Sequence, residues 1–361
     1  AAGNTSSDLA YTSSTSLTLG GSRTLRDVAG NDAALTLPSP GASGSLNTNK
    51  DIVIDTSAPT VTDVTSSTTD GRYKVGAATI PISVTFSESV TVTGSPRLLM
   101  GVGQNTYATY SSGSGSTTLI FNYSIVSGDN SSDLDYASTT ALGLNGGTIR
   151  DAATNSATLT LPALGASGSL SSNKAIIIDT QQPTVASVVA VSANGAYRAG
   201  QQVTLRVNFT EAVNVSGTPT LTLETGSNDG VASYSSGSGT SQLNFVYTVS
   251  AGENSADLEA QSGSALAGSV SDLAGNSAIL TFSVPGLSSS ADIVIDTLSP
   301  TVALSSSLAS GGVTNSSSVQ VTATFSESVS GFDLGDLVVT NGTASNLGSA
   351  SGSQYTFDIS P

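Results

Sequence analysis

The 361-residue chain carries 26 Asp and Glu against 10 Lys and Arg, a formal net charge of −16, and contains no Cys, His or Trp. Such a surface repels nucleic acid and anionic membranes, which are bound through clustered Lys and Arg, and without His or Cys there is no Ser-His-Asp triad, thiol nucleophile or ordinary zinc site. No run approaches the ~18 apolar residues of a membrane span, and stability must come from packing, hydrogen bonds or metal rather than disulfides.

Taken in chain order, the segments repeat. Gly-Asn-Thr-Ser-Ser-Asp-Leu (3–9), Asp-Val-Ala-Gly-Asn (27–31) and Ile-Val-Ile-Asp-Thr (52–56) come first, and the last is followed two residues on by Pro59-Thr60-Val61. Residues 79–86 then alternate, with Ile80, Ile82, Val84 and Phe86 on one face, which predicts a half-buried strand. Phe-Ser-Glu-Ser-Val (86–90) follows, then a strand through Leu119, Phe121 and Tyr123, Gly-Asp-Asn-Ser-Ser-Asp-Leu (128–134) and Asp-Ala-Ala-Thr-Asn (151–155). A strand around Leu159 and Leu161 and the block Ile-Ile-Ile-Asp-Thr (176–180) close the period. The same series recurs as alternation over 202–209, Phe-Thr-Glu-Ala-Val (209–213), a strand through Leu243, Phe245 and Tyr247, and Gly-Glu-Asn-Ser-Ala-Asp-Leu (252–258). Asp-Leu-Ala-Gly-Asn (272–276), a strand at Leu280 and Phe282, and Ile-Val-Ile-Asp-Thr (293–297) complete it, and Phe-Ser-Glu-Ser-Val returns at 325–329.

Blocks kept in phase over a period of about 120 residues mark a domain-sized repeat. Residues 1–55 read as the C-terminal half of one repeat, 56–180 and 181–297 as complete repeats, and 298–361 as the N-terminal half of a divergent one. In that last segment, residues 331–342 depart from the pattern. Several short strands per period, apolar on one face and separated by turn residues, predict a two-sheet sandwich.

The ordered combination of Ile-Asp-Thr-x-x-Pro-Thr-Val, Phe-Ser/Thr-Glu-x-Val and Asp-x-Ala-Gly-Asn resembles the bacterial Ig-like tandem repeats of large cell-surface and adhesin-type proteins, which are cadherin-like stalk modules. The resemblance implies an all-β chain of tandem Ig-like β-sandwich domains arranged end to end, displayed extracellularly on a bacterial surface, often with calcium at the junctions. It names no ligand.

The topology of such a sandwich suggests where the acidic residues gather. The Glu of Phe-Ser/Thr-Glu should lie in the loop after the second strand, the Asp and Asn of Asp-x-Ala-Gly-Asn in the last hairpin, and the Asp of Ile-Asp-Thr at the close of the preceding repeat. The expected clusters are Asp55, Glu88, Asp151 and Asn155; Asp179, Glu211, Asp272 and Asn276; and Asp296 with Glu327. Asp27 and Asn31 belong to a junction upstream. Carboxylates ~4–5 Å apart repel by a few kcal/mol at an effective dielectric of about 20, and Ca2+ bound by carboxylate, amide and carbonyl oxygens removes that cost. The other reading is plain turn chemistry, in which Asp and Asn bond their own backbone. Asp129, Asp133 and Asp135, with Glu253, Asp257 and Glu259, are taken as a solvated loop rather than a second ion site.

The expected function is non-enzymatic: a calcium-stiffened stalk or filament segment supporting adhesion or surface assembly. Two alternatives are a module that binds a glycan or host protein through its tips, and a subunit of a split-domain, strand-complemented filament or surface layer. The expected partners are neighbouring repeats of the same protein, head-to-tail copies, and a glycan or host surface. The chain reads as a window into a longer array, with the split-domain polymer as the competing explanation of its ends.

Overall fold

The alternating segments form strands, and the molecule is all-β. The structure, a computed structural model, describes residues 3–361. The chain divides into two compact units, one running to Pro183 and taking in Ser271–Ala278, the other made of Thr184–Val270 with Ile279–Pro361.

The first unit contains β1 (Val61–Ser66), β2 (Gly71–Tyr73), β3 (Ile80–Thr93), β4 (Arg97–Leu99), β5 (Tyr107–Ser112), β6 (Ser116–Tyr123), β7 (Leu142–Gly143), β8 (Thr148–Arg150) and β9 (Ile176–Ile178). One sheet runs β1-β3-β6-β5-β4-β7, and β2 pairs in parallel with β9. β3 does double duty. Up to Thr85 it lies between β1 and β6; its register with β6 then breaks and resumes at Val90, and Thr91–Thr93 pair with β8. A strand that changes sheets at a bulge turns the corner of a sandwich. Ile80, Ile82, Val84 and Phe86 point inward as their alternation requires, and pack with Leu119, Phe121 and Ile178 in one core. Each such fully buried side chain contributes roughly 1.5–3 kcal/mol.

The second unit contains β10 (Val185–Ala190), β11 (Gly195–Tyr197), β12 (Gln202–Glu224), β13 (Gly230–Ser236), β14 (Thr240–Thr248), β15 (Glu259–Ala260), β16 (Leu266–Asp272) and β17 (Ile293–Ile295). The plan is that of the first unit. β12 pairs with β10 and β14, loses register with β14 between Asn208 and Val213, and continues to pair with β13 and β15. β11 and β17 are again parallel. Residues beyond this sandwich add β18 (Val302–Ser306), β19 (Val319–Phe325), β20 (Thr343–Ser351) and β21 (Gln354–Ser360), ordered β18-β19-β21-β20. Their core is small, built on Val321, Ala323 and Phe357, and Val302, Leu304 and Val338 remain exposed.

Two expectations need correction. The segments at Leu159–Leu161 and Leu280–Phe282 are not ladder strands. Each is anchored by one parallel bridge, Thr60 to Thr158 and Thr184 to Ile279, and Leu161 is buried as a single knob. Nor is the 128–135 segment a solvated loop. Asp129 is fully buried and accepts from Tyr123 Oη (2.9 Å), Thr106 Oγ1 (2.6 Å) and the Val126 N–H (3.0 Å). Glu253 repeats this with Tyr247 Oη (2.6 Å) and the Ser250 N–H (2.7 Å).

Asp135 accepts from Ser171 Oγ at 2.6 Å and from the Tyr136 N–H at 2.9 Å. Glu259 accepts from the N–H groups of Gly286, Leu287 and Ser288 and from the Ser288 hydroxyl. Burial opposes its ionisation, but the N–H groups of Ala260, Ser288 and Leu287 and that hydroxyl prevail and hold the carboxyl below the usual range. Neutral donors, not cations, satisfy these carboxylates, as buried acceptors require. Asp133 and Asp257 stay exposed, as expected.

Burial, then the hydrogen bond to Asp129 and its charge, push the Tyr123 phenol far above its ordinary 10.0; Tyr136, raised by burial and by Asp135, reaches about 12. The neutral phenols therefore contribute stability fully present below about pH 10 and lost as pH rises through the folded values. Tyr123→Phe is expected to cost about 1–3 kcal/mol in urea denaturation at pH 7, because it strips a donor from a buried charge. In an alkaline titration, phenolate absorbance from Tyr123 should appear only with unfolding.

Candidate metal centre

Glu88 owes its place to the break in β3. The side chains of Phe86 and Val90 are buried in the core, and Glu88, among the residues where the register with β6 breaks, is half-buried. This corrects the loop expected there: the strand runs on without interruption, and the Glu sits on it. Glu211 holds the same position within the corresponding break of β12. Only in the last segment does the strand end at the block, β19 stopping at Phe325 before Glu327.

The hairpin after β8 delivers the second carboxylate. Asp151 is buried and closes its turn with Asn155, whose N–H donates to Oδ1 (2.8 Å) and whose Nδ2 donates to Oδ2 (2.7 Å). The same Nδ2 donates to the main-chain oxygen of Asp55 at 3.1 Å, which ties the hairpin to the segment preceding β1. Asp55 in turn caps Ser57 through its own carboxylate. As a result Asp55, Glu88 and Asp151 each bring a carboxylate oxygen within 4.8 Å of the others. Burial, then the charges of Asp55 and Asp151, raise the Glu88 carboxyl above its ordinary 4.5.

Asp179 and Asp272 are brought together in the same way, their carboxylate oxygens also within 4.8 Å. Asn276 donates to both Asp272 oxygens through its N–H (2.8 Å) and Nδ2 (2.7 Å), and to the Asp179 carbonyl at 3.0 Å. Asp27 and Asn31 form the same turn on the surface. Asn31, by its side-chain and then its backbone hydrogen bond, holds the Asp27 carboxyl below the usual range, against a smaller opposing effect of burial. Asn31, Asn155 and Asn276 each turn the amide nitrogen to the Asp of the same turn, a donor that orients the carboxylate.

Asp296 caps the Leu298 N–H at 3.0 Å, and Glu327 follows β19. Residues 296–361, which hold both, match the family described as bacterial Ig-like domain. That segment is a bacterial Ig-like domain. The match covers a minor part of the chain, and no curated protein matches it. Within the bacterial Ig-like domain no third carboxylate joins Asp296 and Glu327 among the described residues.

That segment also shares a feature that the sequence reading missed. Its Thr301 N–H donates to Ser326 Oγ (2.9 Å), and the Ser326 N–H donates to Thr301 O (2.8 Å). Thr60 with Ser87 and Thr184 with Thr210 make the same pair of bonds. The hydroxyl beside each Glu thus fastens the incoming segment to the block that carries the Glu. The recurrence of Pro-Thr-Val in phase with Phe-Ser/Thr-Glu was the signal for it.

The Asp-Ala-Ala-Thr-Asn hairpin keeps the geometry of its siblings at a cost. Thr154 sits at φ 74°, where Gly30 and Gly275 sit at 89°. A β-branched residue in that region is strained by about 1–2 kcal/mol, so Thr154→Gly should stabilise the chain by about that amount in thermal or urea denaturation. Glu88 gives a second expectation. With its folded pKa raised, it contributes stability present below pH 4.5 and lost as pH rises through the folded value. In chelator, Glu88→Gln should abolish that decline in a pH series of melting temperatures.

Proposed function

We propose that the chain is a structural segment of a large bacterial extracellular or cell-surface protein, its Ig-like repeats stiffened by Ca2+ and serving adhesion or surface assembly. The modules are residues 56–180 and 181–297, flanked by the partial repeats 1–55 and 298–361, and their partners are neighbouring repeats of the same protein. The role is non-enzymatic, in keeping with the absence of His and Cys. The family of the last segment supports a surface or structural module.

The observation that carries the calcium reading is the convergence of Asp55, Glu88 and Asp151 from three separate segments. The donor set fits a hard cation. It is all oxygen and carries three negative charges, and no Lys or Arg forms an ion pair with it among the described residues. Such a set suits Ca2+, which takes 6–8 oxygen ligands at about 2.3–2.6 Å, with water completing the shell. Asp55, Glu88 and Asp151 would hold the ion; the Asn155 amide fixes Asp151 and the Asp55 main chain around it. A second reading, pure turn chemistry, is favoured by the exposed Asp27–Asn31 turn, which forms with the same hydrogen bonds at the surface.

Calorimetric titration of the full chain with CaCl2 after chelator treatment separates the two. Binding at a hundredfold excess over Kd stabilises the folded state by about 2.7 kcal/mol, and the melting temperature should rise accordingly. Asp151→Asn and Glu88→Gln should each weaken the response. No heat of binding and no shift in melting temperature would leave the carboxylates as turn and bulge residues.

A further inference from the structure

One hairpin that grows out of the second sandwich packs with the first unit. It follows β16, which pairs with β12, yet Ser271–Ala278 belong to the compact unit that runs to Pro183. The hairpin's own turn does not account for this. Asp27–Asn31 has the same sequence pattern and the same bonds from the Asn N–H and Nδ2 to the two Asp oxygens, and all five of its residues are exposed. In the later hairpin Asp272 and Asn276 are buried. The bonds within the turn are shared, so the burial comes from what the turn meets.

It meets a seat of three groups. Asn276 Nδ2 donates to the Asp179 carbonyl at 3.0 Å, Gln182 Nε2 donates to Ser277 O at 3.0 Å, and Lys74 Nζ donates to Gly275 O. Lys74 stands directly after β2. The carbonyl of Tyr73 beside it accepts the Asp179 N–H at 2.9 Å, so the pairing of β2 with β9 fixes the ammonium and the Asp179 carbonyl together. Lys74 supplies the one charged donor of the three and is half-buried. Charge-assisted bonds of this kind are roughly twice as strong as neutral ones. Gly275 sits at φ 89°, and a Cβ there would lie 3.5 Å from Lys74 Nζ and 3.7 Å from Cε. A larger side chain would therefore compete with the lysine for the space.

We propose that Lys74 captures the hairpin of the following repeat in a metal-free clasp, and that the seat is specific for a turn with Gly at its fourth position. The 151–155 hairpin has Thr154 at that position, which adds a methyl and a hydroxyl to the Cβ and makes it the wrong partner for a lysine seat. The second sandwich carries a basic residue at the corresponding place. Arg198 follows Tyr197 of β11, whose carbonyl accepts the Asp296 N–H at 3.0 Å, and its side chain is exposed. Lys74 forms no ion pair among the described residues, so the clasp is independent of the calcium reading.

The test is hydrogen exchange, read by mass spectrometry, on the full chain in chelator. Lys74→Met keeps the aliphatic stem and loses the donor. Amides of residues 272–278 should then exchange at least tenfold faster, while residues 151–155 keep their rate. Lys74→Arg restores a charged donor and should keep the protection. Gly275→Thr should lose it, and the double variant with Lys74→Met should be no faster than Gly275→Thr alone, because both remove one contact. Unchanged exchange at 272–278 in Lys74→Met overturns the proposal. So does acceleration spread over residues 61–123, which would make Lys74 a support of its own repeat. Additive effects in the double variant also overturn it, since the two residues would then act separately.

Discussion

Strand β3 is bonded on both edges up to Thr85, slips, and after Val90 takes a partner in the other sheet. Everything at that end of the sandwich depends on this slip. It lets one strand serve two layers, aims Glu88 away from the core, and sets the β8 hairpin beside it, so that Asp151 arrives where Glu88 points. The hydroxyl pair of Thr60 and Ser87 then fixes the incoming chain against the same bulge and brings Asp55 to the third side. A register error of one residue would turn the whole set of Ile80, Ile82, Val84 and Phe86 out of the core.

The other recurrent theme is negative charge held without positive charge. With 10 Lys and Arg in 361 residues, ion pairing is not available to most of the carboxylates. Asp129, Asp135, Glu253 and Glu259 are instead held by phenol, hydroxyl and main-chain donors. These are anchoring acids. Asn130 and Asn254, next to two of them, receive the main-chain N–H groups of Thr180 and Thr297, so this block secures the Ile-Asp-Thr strand as well. The cluster around Asp151 differs because three acids share one space while most of the donors at hand already serve the hairpin's own turn.

Period-two alternation made the strands through Ile80–Phe86 and Leu243–Tyr247 legible, because each has one buried face. It misled at Leu159–Leu161, where the alternating leucines are held by one bridge and single hydrogen bonds rather than by a strand ladder. The meeting of Asp55, Glu88 and Asp151 was legible from the order of the blocks, but the loop assigned to Glu88 was not there, since a bulge leaves no Gly or Pro to mark it. The burial of Asp129 and Glu253 was missed because a carboxylate between turn residues looks solvated. The Tyr six residues earlier in both repeats, Tyr123 and Tyr247, was the available clue.

The parallel pairing of β2 with β9, and of β11 with β17, has a mechanical meaning. In each case a strand from early in the sandwich lies beside the strand through which the chain leaves it, and both run the same way. A pull on the chain from its two sides drags such strands past each other lengthwise, and their hydrogen bonds are strained together instead of opening one at a time. Resistance to force is thus concentrated at the same Ile-rich strands that end in Asp179 and Asp296.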